Sequence, residues 1–102
     1  MSIIKKYIKN KPMCKVTFKL TKEEAQSAEK VHIVGEFNNW DGLATPMKKL
    51  KNGDYTATVD LKRHNEYQFR YLKNNEEWDN DPDADKYVST PFGDTTNSVV
   101  VV

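Results

Sequence analysis

Cysteine is nearly missing from this chain. Cys14 stands alone among 102 residues, so neither a disulfide framework nor a C-x-x-C metal site can be built within it. A reducing compartment is the simpler home for such a composition, and the chain is read as cytoplasmic. Glycine and proline are scarce as well, four of each, which excludes collagen-like and low-complexity chains. No apolar run approaches the roughly 20 residues of a membrane span. Lys5, Lys6 and Lys9 interrupt the first residues before a signal-peptide core can develop, and no internal repeat is present.

A strong charge of one sign is also lacking, since 16 Lys and Arg face 15 Asp and Glu for a net +1. Beneath that balance lies a gradient. Residues 1–30 carry eight lysines against Glu23, Glu24 and Glu29, a net +5, whereas residues 74–102 carry Lys86 against seven carboxylates, a net −6. The lysines are spread along the sequence, so they read as a solvated face rather than a nucleic-acid or lipid footprint.

Enzymatic constellations are missing too. His32 falls inside an apolar run and His64 in a turn, and neither has the neighbours of a triad or a metal site. Asp79, Asp81, Asp83 and Asp85 alternate in a way that invites a calcium loop. Counting twelve residues from Asp79, however, puts Ala84 where the sharp turn needs Gly and Thr90 where a bidentate Glu is needed. No glycine-rich loop is available to cradle phosphates. These absences predict no catalytic residues, no metal and no cofactor.

What is present is a patterned chain, 37% hydrophobic and 30% charged, of a length that holds one domain and not two. Ile4, Tyr7 and Ile8 fit one side of a short helix ending before Pro12, so residues 1–12 read as an N-terminal arm or short helix. From Met13 the period becomes two, the signature of half-buried strands. Cys14, Val16, Phe18 and Leu20 share one face, Tyr55, Ala57, Val59 and Leu61 another, and Tyr67, Phe69 and Tyr71 a third. Thr21 with Glu24 matches a capping box and predicts one helical turn. Asn52-Gly53 and Asn74-Asn75 mark hairpin turns, because both residue types tolerate positive φ. Strands are also expected over residues 31–37, near Trp78, over 86–90 and at 99–102. The fold class is therefore all-β, an antiparallel β-sandwich of about seven strands over residues 13–102, with a small closed barrel as the alternative.

The aromatics carry the functional signal. If Tyr67, Phe69 and Tyr71 fill the core, then Arg70 faces out. Trp40 lies within Asn38-Asn39-Trp40-Asp41-Gly42 and Trp78 between Glu77 and Asp79, settings too polar for ordinary core positions. Two indoles near turns, a guanidinium and several Asn and Thr residues match the chemistry of a sugar: a C–H face that lies on an indole and a rim of hydroxyls that take polar partners.

The stretch V-H-I-V-G-E-F-N-N-W-D (31–41), the hairpin at Asn52-Gly53, Y-Q-F-R-Y (67–71), Trp78 before D-N-D-P and F-G-D-T-T-N-S-V-V-V (92–101) resemble carbohydrate-binding module family 48. This family includes the glycogen-binding domain of the AMP-activated protein kinase β-subunit and the N-terminal early-set domains of isoamylases and branching enzymes. The resemblance implies an immunoglobulin-like sandwich that binds α-1,4-linked glucan without catalysis. It implies Trp40 and Trp78 as stacking platforms, Arg70 in place of a sugar-contacting lysine, Phe92 as a side chain inserted toward the glucan, and Thr95 and Asn97 as polar contacts. Two departures are visible: the turn Asn74 to Glu77 is one residue longer than in the family, and Asp94 is an insertion. The expected partner is an α-glucan polysaccharide or oligosaccharide, with a glucan-metabolising enzyme as the alternative, and the chain reads as a stand-alone module. A single-stranded nucleic-acid binder is the remaining competitor, and the carboxylates around Trp78 oppose it. Neither nucleic acid nor membrane is expected as a partner.

Overall fold

The computed structural model describes residues 3–91 and 95–102. Among them nine strands are formed: β1 (Ile3–Tyr7), β2 (Met13–Leu20), β3 (Val31–Gly35), β4 (Lys48–Lys49), β5 (Tyr55–Lys62), β6 (Glu66–Lys73), β7 (Glu77–Asp79), β8 (Lys86–Ser89) and β9 (Thr96–Val101). Helix is confined to α1 (Lys22–Ala25) and a 3-10 turn over Glu36–Asn38. One sheet runs β1-β2-β5-β4 and the other β3-β6-β9-β8, with every pair antiparallel. Two open sheets face to face make an immunoglobulin-like β-sandwich, so the closed-barrel alternative falls away.

Strand β6 is the hub of the second sheet. Strand β3 lies along one edge of it, from Val31 opposite Lys73 to Gly35 opposite Phe69. Its other edge is divided: β9 pairs with Glu66 to Phe69, and β7 pairs with Tyr71 to Lys73.

Of the two expectations for the N-terminal segment, arm or short helix, the helix is corrected by β1, which is extended. Ile3 lies opposite Phe18 and Tyr7 opposite Cys14, so these residues extend the first sheet beyond β2. A three-turn amphipathic helix is marginal by itself, whereas the open edge of β2 offers a full set of backbone partners to a β-branched segment. The result inverts the helical reading. Ile3 is buried while Ile4 and Tyr7 are exposed. The Lys5 ammonium meets Asp85 Oδ2 at 2.7 Å, and the Arg63 guanidinium lies 4.8 Å from the centre of the Tyr7 ring.

The period-two faces are where the alternation puts them. Cys14, Val16, Phe18, Leu20, Tyr55, Leu61, Phe69 and Tyr71 are buried, and Ala57, Val59 and Tyr67 pack against them half-buried. Phe18 meets Phe69 edge-on at 5.0 Å and stacks near Phe37 at 5.9 Å, while Phe69 meets Tyr71 at 5.8 Å. Thr21 and Glu24 form the capping box of α1, each side chain bound to the other's backbone N–H at 3.2 and 2.8 Å.

Every residue of β3 is buried, on both faces. The chain from Asn38 to Met47 folds back along it: Ile33 N–H donates to Thr45 O at 3.0 Å, Met47 N–H to Val31 O at 2.8 Å, and Pro46 bridges His32. This return loop closes the free edge of the sheet and carries Trp40 over the outer face.

Candidate functional site

Trp40 is held by the backbone in front of it. Gly35 faces Phe69 so closely that a Cβ there would lie 2.5 Å from Gln68 O and 2.8 Å from Phe69 Cβ, and only glycine fits. The chain then makes its 3-10 turn and ends it with two left-handed residues, Asn39 at φ 57° and Trp40 at φ 57°. Asn tolerates that region; for a residue as bulky as Trp it is an outlier costing on the order of 1–2 kcal/mol. Hydrogen bonds hold it there. Trp40 N–H donates to Gly35 O at 2.8 Å. The Asn38 side chain accepts from Gly35 N–H at 2.9 Å and donates to Ile33 O at 3.0 Å and Thr45 Oγ1 at 3.1 Å. The F-N-N-W run is thus a rigid bracket that turns the indole outward, leaving it 40% exposed.

Trp78 comes from β7, opposite Leu72 on the outer face of β6. It is 47% exposed, against the usual burial of tryptophan. Next to it, Lys73 is buried and its ammonium binds Asp79 Oδ2 at 2.8 Å, tying β7 down on one side of the indole.

Between the indoles stands Arg70, half-buried rather than freely solvated. Its Nε and Nη2 both donate to Thr96 O, at 3.1 and 2.7 Å, so one edge of the fork belongs to β9. Thr96 O also accepts from Asn80 Nδ2 at 2.9 Å. Asn80 Oδ1 accepts from Ser98 N–H and Ser98 Oγ at 3.0 and 2.8 Å, and Ser98 Oγ accepts from Asp81 N–H at 2.9 Å. Asp81 is fully buried, taking the Tyr71 hydroxyl at 2.5 Å and Asp83 N–H at 2.8 Å. Burial, and then the Asp81 charge, push the Tyr71 hydroxyl well above its ordinary range. The alternate aspartates therefore divide into structural tasks, Asp79 on Lys73, Asp81 on Tyr71 and Asp85 on Lys5. Among the described residues no group of three His, Cys, Asp or Glu is placed to hold a metal ion.

These elements enclose a groove of about 470 Å³. Trp40, Arg70, Trp78, Thr95 and Asn97 all line it; Phe92 lies outside the described residues. A smaller depression of about 240 Å³ continues from it past Arg70, Trp78 and Thr95 toward Asn80. The groove also takes in Glu36, Gln68, Thr90 and Pro91, which sequence reasoning did not single out. Gln68 had a signal, because it shares the outward parity of Arg70. Its side-chain oxygen accepts from Asn97 Nδ2 at 3.0 Å, and its backbone N–H donates to Glu36 Oε1 at 2.6 Å. Thr90 N–H donates to Thr95 O at 3.0 Å, and the two hydroxyls bond to each other. Chemically this is an amphipathic trough: two flat apolar faces, with amides, hydroxyls and one guanidinium between them.

The family model for carbohydrate-binding module 48 (isoamylase N-terminal domain) matches residues 13–93. The chain belongs to this family. It is a family of carbohydrate-binding, non-catalytic modules. Comparison with curated proteins gives no match. The match takes in Trp40, Arg70 and Trp78 but stops ahead of Thr95 and Asn97, which reach the groove of this family-48 module through the residues leading into β9 and through β9 itself. No helix among the described residues is long and apolar enough to cross a membrane.

Proposed function

We propose that the groove binds α-1,4-linked glucan, as glycogen, a starch-like polymer or maltooligosaccharide, by stacking successive glucose rings on Trp40 and Trp78. The observation that carries this reading is that the two tryptophans, both exposed, line one groove together with Arg70, Gln68 and Asn97. Apolar faces on either side of polar side chains suit a sugar ribbon, whose ring faces are C–H and whose edges are hydroxyl. Thr95 and Asn97 would take the hydroxyl edge, and the Arg70 nitrogen not turned toward Thr96 would do the same. Phe92 remains the proposed inserted side chain. The module acts by recognition alone, without metal or cofactor, and its buried single cysteine fits a cytoplasmic setting.

Each stacked ring buries on the order of 100 Å² of apolar surface, about 2–3 kcal/mol gross at 25 cal/mol per Å². With hydrogen bonds to the hydroxyl edges added to the two stacked rings and ordering costs subtracted, the net falls near −4 to −7 kcal/mol, a Kd between about 1 mM and 10 μM. Titration calorimetry with maltoheptaose tests this. Trp78→Ala should lose about 1–3 kcal/mol of binding while keeping its fold, unlike Phe69→Ala, a core truncation worth roughly 3–5 kcal/mol of stability. If Trp78→Ala unfolds and the folded remainder binds like the wild type, the indole is a lid on the core and the reading fails. A glucan-metabolising enzyme is the natural protein partner for such a module.

A further inference from the structure

A second concavity lies away from the groove, at the end of the sandwich where α1 meets the β4–β5 hairpin. It encloses about 400 Å³, and none of its lining residues lines the groove. Three lysines open onto it, Lys22, Lys49 and Lys51. None of their ammonium groups has a carboxylate within 4 Å among the described residues. The carboxylate nearest in sequence to Lys49 and Lys51, Asp54, is otherwise engaged: Oδ1 accepts from Lys22 N–H at 2.8 Å, and Oδ2 from Asn52 Nδ2 at 3.2 Å, with the Lys19 ammonium at 3.5 Å.

One of the lysines has its stem laid in place, and a second has its ammonium over an aromatic ring. Gly53, at φ +95°, sits directly under the Lys22 chain, whose Cδ would be 2.8 Å from any Cβ there, so the turn glycine makes the channel in which that stem lies. Lys49 Nζ is 5.9 Å from the centre of the Tyr55 ring, and the Tyr55 hydroxyl is fixed to Ala28 O at 2.8 Å. Cations whose stems are already ordered lose less entropy when they take a ligand. Ser27 and Asn52 add polar groups to the wall, and among the described residues Glu29 is the one carboxylate in it. The lining charge is therefore +2.

We propose that this cleft is an anion site for a small phosphomonoester. A phosphomonoester carries about −1.5 to −2 charges near neutral pH and presents several strong acceptor oxygens, which matches the charge and the three ammonium donors. The volume suits a sugar phosphate or a ligand of similar size. The proposal stands on the cleft alone and is independent of how the groove is used.

The test is amide-resolved NMR titration of the full chain with inorganic phosphate and with glucose 6-phosphate, against potassium chloride at matched ionic strength and against glucose. Saturable shifts are expected at residues 22–29 and 49–55, with half-saturation at or below about 1 mM for glucose 6-phosphate. Chloride and glucose should not produce them at those positions. In Lys49→Gln/Lys51→Gln the affinity should fall at least about tenfold, because charge-assisted bonds are the strong ones, while maltoheptaose binding stays at the wild-type value. Equal shifts with chloride, shifts spread over Lys5, Lys6 and Lys15, or an unchanged affinity in the double variant would each overturn the proposal.

Discussion

Replacing Trp40 by Ala and, separately, by Gly asks two questions of one position. The indole is 40% exposed, and of a side chain presenting about 250 Å² this leaves about 100 Å² for a sugar to cover. At 25 cal/mol per Å² that is about 2.5 kcal/mol, or a loss of roughly 60-fold in glucan affinity, expected equally for both variants. Their stabilities should differ. Position 40 has φ 57°, a conformation open to glycine but costing an alanine on the order of 1 kcal/mol. Trp40→Gly should therefore be the more stable of the two by about 1 kcal/mol, even though its unfolded chain is the more flexible. Calorimetric titration with maltoheptaose gives the first quantity and urea denaturation the second. Wild-type affinity in both variants would remove the platform from the argument, and equal stabilities would show that the bracket around Asn38 does not impose the left-handed turn.

Gly35→Ala should destabilise by at least about 1–3 kcal/mol, since its Cβ meets backbone and not a flexible side-chain end; urea midpoints will report it. Glucan binding should change by less than about twofold between roughly 50 and 200 mM salt, because a neutral ligand releases no condensed counterions, whereas single-stranded nucleic acid would give a log–log slope near −0.7 per phosphate neutralised. Burial raises the Tyr71 hydroxyl, so the folded state keeps its proton where the unfolded chain has lost it. That contribution is complete below pH about 10 and declines as pH rises above it toward the folded value. Tyr71→Phe should flatten the alkaline slope of the unfolding midpoint.

Periodicity made most of the sandwich legible. A period of two is unambiguous when one face is buried and the other wet, as it is at residues 14–20 and 66–71, and the parity that buried Phe69 also presented Arg70 and Gln68. It failed at residues 3–7, where Ile4, Tyr7 and Ile8 satisfy a helical spacing and the deciding factor, an unfilled strand edge seven to fifteen residues away at Cys14 to Phe18, is tertiary. The groove was legible through residues whose type is out of keeping with their polar surroundings, chiefly Trp40 and Trp78. Glu36, Thr90 and Pro91 gave no such signal, because each enters by way of a turn whose direction no local pattern encodes. Arg70 was read as open to solvent, and only the strand placing Thr96 beside it shows that half of its donor edge is already used.

The double duty of β6 has a consequence in time. Its inward residues, Phe69 and Tyr71, are wholly buried, and its outward ones, Gln68 and Arg70, form the floor of the groove. A floor that shares its backbone with the centre of the core can rearrange only when the whole domain opens, the slowest event available to it. Ligand arrival and departure are then left to rim side chains, whose rotamers exchange in picoseconds to nanoseconds. A carbohydrate can then come and go at the groove without the protein having to breathe.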